Sequence, residues 1–128
     1  MASKKPARPT IFDVRDHMVE NRAKYAKLGP LAMHVFDVIT MHTLYAPNKP
    51  EQYGWVTEDA SRISFLSEQT ARSESTVRAA LNDLETGGLI KHDHDPFNRR
   101  PGRGNPKRIR NNIAHHLLAE SRDDPHER

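Results

Sequence analysis

Residues 65–90, FLSEQTARSESTVRAALNDLETGGLI, space their apolar and small side chains as two helices joined by a tight turn do. The first part, 65–70, suffices for a brief helix, with Ser64 standing ahead of it as an expected N-cap. Ser73 is placed to cap a second helix, in which Val77, Ala80, Leu81 and Leu84 fall at i, i+3, i+4 and i+7 and form one buried stripe. At about 100° per residue the opposite side carries Ser75, Arg78, Ala79, Asn82 and Thr86. Small residues on that side permit close approach to a groove. Gly87-Gly88 ends the helix and residues 89–92 read as a short strand. Apolar residues at this spacing also occur in an ordinary helical hairpin, so the weight falls on the segment C-terminal to them.

Residues 96–110, PFNRRPGRGNPKRIR, hold Arg99, Arg100, Arg103, Lys107, Arg108 and Arg110 and no acidic residue. Pro96, Pro101, Pro106, Gly102 and Gly104 forbid a regular helix, which predicts an extended loop between a strand ending near His94 and one beginning near Lys107. A solvated charge run is the plain alternative. A basic hairpin directly after a helix of recognition type favours contact with phosphates or a narrow minor groove instead, with strong salt dependence.

At these residues the chain resembles the winged helix-turn-helix family of bacterial DNA-binding domains, including GntR-like regulators and related domains of phage and plasmid replication proteins. The resemblance spans roughly residues 56–112 and rests on Leu66, Glu68, Gln69, Ser73, Ser75, Thr76, Val77, Arg78, Ala80, Leu81, Leu84, Glu85 and Gly88-Leu89-Ile90. In that family the second helix enters the major groove. The resemblance therefore implies a base-reading role for Ser75, Thr76, Arg78 and Asn82, with Ser73 near a phosphate; the expected contacts are base edges for Ser75, Arg78 and Asn82, phosphates for Ser73 and Thr76, and wing contacts for Arg99, Arg100, Arg103, Lys107 and Arg108. The chain departs from the family pattern at Thr70, Ala71 and Arg72, where leucine, glycine and an apolar residue are usual.

Composition sets the frame. The chain has 128 residues, 29% charged and 35% hydrophobic, as expected of one small core with arms. Its net charge of +3 hides a segregation: residues 1–10 contribute +3 through Lys4, Lys5 and Arg8, residues 96–110 contribute +6, and the remainder sums to −6. Localised basicity favours a directed polyanion contact over a solubilising coat. Without cysteine there is neither disulfide nor thiolate chemistry, which is compatible with a reducing compartment. The opening MASKKPARPT lacks the apolar run of a secretion signal, and nothing reads as a membrane span, so a bacterial cytoplasmic, nucleoid-associated location is expected.

Outside the motif, residues 1–10 read as a disordered basic arm. Thr10 is placed to cap a helix over 11–28, with Ile11, Val14, Met18, Tyr25 and Leu28 on its apolar side. Gly29-Pro30 breaks it and opens a second helix over 31–45. Leu31, Val35, Val38, Ile39 and His42 share one face of that helix, while Met33, Phe36, Met41 and Leu44 lie on the other. A helix apolar all round needs cover, and a homodimer is favoured over cover by helices 11–28 and 111–121 of the same chain. Residues 46–62 form a connection with Trp55-Val56 anchored on the core, and Ile63 is a candidate first strand. A helix over 111–120 places Ile113, Leu117 and His116 on one side, and a polar tail follows.

The expected fold is mainly α with a small β-hairpin wing: a winged helix-turn-helix with added N- and C-terminal helices. Its parts are an arm (1–10), N-terminal helices for core and dimerisation (11–45), the DNA-binding region (46–112) and a C-terminal helix with tail (113–128). His92 and His94 share one strand face, but two imidazoles do not close a metal site; His115-His116 point about 100° apart. No phosphate loop, nucleophile elbow or carboxylate cluster suggests an enzyme, and no cofactor or small-molecule ligand is implied. The leading expectation is a transcriptional regulator, repressing by occupancy, that binds double-stranded DNA at an inverted repeat as a homodimer. The alternatives are a plasmid or phage accessory or initiator protein in replication, segregation or excision, and a winged helix that binds protein.

Overall fold

The computed structural model describes residues 8–47, 49–97 and 107–122. Helix α1, Ile11–Glu20, starts at Thr10 as expected, with a capping box: the Phe12 amide donates to the Thr10 hydroxyl (3.2 Å) and the Thr10 amide to the Asp13 carboxylate (2.6 Å). The helix predicted to run to residue 28 breaks at Asn21. Its side-chain amide and its backbone N–H both donate to the His17 carbonyl, which ends α1 there. A four-residue helix α2, Arg22–Tyr25, and a 3-10 turn over Ala26–Leu28 complete the span.

Gly29, at φ 92° and ψ 159°, adopts a backbone conformation open to glycine, and Pro30 opens α3, Pro30–Met41. This helix ends earlier than predicted because the chain turns extended to pair with a later segment. Thr43 bridges Val56, the Leu44 amide donates to the Trp55 carbonyl (2.9 Å), and the Gly54 amide to the Leu44 carbonyl (2.9 Å). Ile63, a predicted strand, instead begins helix α4, Ile63–Thr70, capped by the backbone of Arg62 rather than by Ser64. The reason lies in its period: Ile63, Leu66 and Thr70 fall at i, i+3 and i+7 on the helix side that packs inward.

After a short turn comes α5, Glu74–Thr86, whose predicted stripe of Val77, Ala80, Leu81 and Leu84 is at most 3% exposed. Strands β1, Ile90–His94, and β2, Lys107–Asn111, pair antiparallel with His92 opposite Ile109. Residues 54–56 run beside β2 as a further rail: Trp55 bridges Arg110, and the Val56 amide donates to the Ile109 carbonyl (2.9 Å). Helix α6, Asn112–Arg122, comes immediately after β2. Asn111 caps it by accepting from the Ala114 amide (3.1 Å), while donating to Thr43 (3.1 Å). The result is mainly helical with a small antiparallel hairpin, winged-helix-like in outline.

One apolar cluster joins these elements. Val35, Phe36 and Ile39 of α3 meet Leu66 of α4, the α5 stripe, Leu89 and Ile90, Ile109, and Ile113 of α6. No helix among the described residues is long and apolar enough to cross a membrane.

Candidate nucleic-acid interface

The turn between α4 and α5 is built from hydroxyls. Thr70 Oγ1 donates to the Leu66 carbonyl (2.7 Å), and Ser67 Oγ bonds the Arg72 carbonyl, while the Arg72 amide donates to the Ser67 carbonyl (3.1 Å). Ala71 takes φ 55°, the left-handed conformation for which glycine is favoured. At the start of α5, Ser73 Oγ accepts from the Thr76 amide (3.2 Å) and lies 2.7 Å from Thr76 Oγ1 and 3.3 Å from Ser75 Oγ. The predicted cap is thus present, and three hydroxyls gather where the helix amides point outward.

Burying the stripe of α5 leaves Ser75, Arg78, Ala79 and Asn82 exposed along its outer side, with Ser73 exposed ahead of them and Thr76 half-buried. Arg78 lies 4.0 Å from Glu74, one turn back, with both side chains more than half exposed, a pairing weak enough to yield to another anion. Arg72, noted in the sequence only as a departure from an apolar position, is exposed just ahead of Ser73. The signal that marked it was its charge where packing was expected.

The hairpin is tied to α5 by Glu85. The His92 amide donates to Glu85 Oε2 (3.0 Å) and His92 Nδ1 lies 3.4 Å from Glu85 Oε1. Chiefly because of that backbone hydrogen bond, the Glu85 carboxyl is held below its ordinary pKa, against a smaller opposing effect of burial.

No family model matches the chain, and no curated protein or solved structure is significantly similar to it.

At the base of the hairpin one expectation needs correction. Arg108 is not a surface cation; its side chain is 10% exposed. Its Nε donates to the Val56 carbonyl (2.7 Å), its Nη1 lies 3.3 Å from Asp95 Oδ2, and its guanidinium sits over Phe97 at 5.5 Å. Asp95 in turn accepts from the Phe97 amide (2.8 Å), and Phe97 meets Trp55 edge to face. A buried carboxylate would cost several kcal/mol unpaired, so Arg108 is held inward. Lys107 is exposed; Arg99, Arg100 and Arg103 lie outside the described residues. His92 is engaged by Glu85, and no group of three metal-ligating side chains lies together among the described residues.

Proposed function

We propose that this chain binds double-stranded DNA as a winged helix-turn-helix protein with added N- and C-terminal helices, and acts as a small bacterial regulator that represses by occupying an inverted repeat. The observation that carries the proposal is the outer side of α5, where the inward stripe leaves Ser75, Arg78 and Asn82 exposed together behind a hydroxyl-rich N-terminus. Arg78 and Asn82 are the side chains suited to bidentate reading of guanine and adenine, and Ser75 adds a short contact. Ser73, Thr76 and Arg72 face a phosphate at the positive end of the helix. Lys107, and the arginines at 99, 100 and 103 in the intervening sequence, supply cations to the backbone or minor groove. Arg108 is left out of this set because its guanidinium is occupied. Occupancy needs no catalytic group, effector or cofactor.

The test is selection of a random double-stranded DNA pool on the purified chain at physiological salt, repeated with Arg78→Ala. An enriched inverted repeat is expected, with Arg78→Ala losing preference at one base pair per half-site, about 1–3 kcal/mol of discrimination. Absence of enrichment overturns the reading. Enrichment of many tandem sites instead of one repeat selects the plasmid or phage initiator role.

A further inference from the structure

Three large hydrophobic side chains stand exposed among the described residues, and all lie on α1 or α3: Phe12 at 70%, Val19 at 59% and Met41 at 58%. Between these helices runs an open groove of about 370 Å³, floored by Val14, Met18 and Phe36 and flanked by Arg15 and Asp37. Along α1, Phe12, Arg15 and Val19 fall at i, i+3 and i+7; along α3, Met33, Asp37 and Met41 fall at i, i+4 and i+8. Each line reads apolar, charged, apolar, with a cation on one helix and an anion on the other. Arg15 and Asp37 are both exposed, and neither makes an ion pair among the described residues.

We propose that a second copy of this chain covers the groove through a two-fold interface, α1 of each protomer lying across α3 of the other, so that Arg15 faces Asp37 of the partner subunit twice. An isologous contact requires a surface complementary to itself. The two lines meet that requirement, since apolar ends meet apolar ends and the central charges are opposite. The chain's own N-terminal arm is a poorer occupant, because Pro9 at its end is already engaged by the Tyr53 hydroxyl (2.6 Å). Helix α1 packs on α3 and α6, whereas α5 packs on α3, α4 and β1, so this pairing keeps the outer side of α5 free. The inference deepens the DNA-binding reading by naming the surface that joins two recognition helices.

The experiment is sedimentation equilibrium of the full chain without DNA, for the wild type, Arg15→Asp, Asp37→Arg, the double exchange, and Val19→Asp. All these positions are exposed, and circular dichroism confirms folding of each variant. The wild type is expected to dimerise, each single variant to weaken the dimer by about tenfold or more, and the double exchange to restore it. A monomeric wild type at all concentrations, or a dimer indifferent to these substitutions, overturns the inference. So does a cross-link placing residues 1–8 in the groove. Half-site DNA binding is measured in parallel: a monomer that binds a half-site defeats only the dimer surface, and a dimer that binds no DNA defeats only the function.

Discussion

Ala71 is, among the described residues, the non-glycine side chain with positive φ, and its Cβ is strained against the backbone there. Ala71→Gly is therefore expected to stabilise the chain by about 1 kcal/mol in denaturant unfolding, whereas elsewhere the same exchange in a helix costs about that much. A loss of stability would mean the turn does not hold this conformation. Asp95 presents the opposite case. Asp95→Ala strands the buried Arg108 guanidinium over Phe97, and a loss of about 3 kcal/mol is expected from urea midpoints. An unchanged midpoint would show that Arg108 escapes to solvent. Neither role was legible in the sequence. Arg108 sat in a run of cations where every member looked alike, and only the pairing of β1 with β2 brings Asp95 beneath it. Ala71 showed itself as a missing glycine, so its position was visible although its strain was not.

Elements were legible where local period and capping agreed. Thr10 and Ser73 cap the helices they were expected to cap, and the α5 stripe is buried as spaced. The end of α3 was missed because a distant partner intervened, whereas the break at Asn21 is local. Residues 43–45 leave α3 because residues 54–56 offer hydrogen bonds that no helical period announces. The junction of α5 with β1 rests on the contact of Glu85 with His92, seven residues on. Because the Glu85 pKa is lowered in the folded chain, its contribution is complete above the ordinary carboxylate pKa and is lost as pH falls through the folded value. As pH falls below the ordinary carboxylate range, the wild type is expected to lose more stability than Glu85→Gln, measured by urea unfolding at each pH. Equal losses would remove Glu85 from the account.

For the whole molecule, the sequence carried the class of fold, mainly helical with a hairpin after the second of two adjoining helices, because those elements form from contiguous residues. It did not carry the buried polar connections. Asn111 joins Thr43 to the start of α6, and the Tyr53 hydroxyl reaches Pro9; burial raises the Tyr53 pKa and keeps the hydroxyl a donor. Such bonds depend on residues more than forty positions apart meeting in space.

The clamp at the hairpin base also bears on where the hairpin can be altered. Trp55, Asp95, Phe97 and Arg108 close the stem before residue 98 and after residue 106. All four side chains of the clamp lie outside residues 98–106, so substitutions confined to that stretch leave every member of it in the chain.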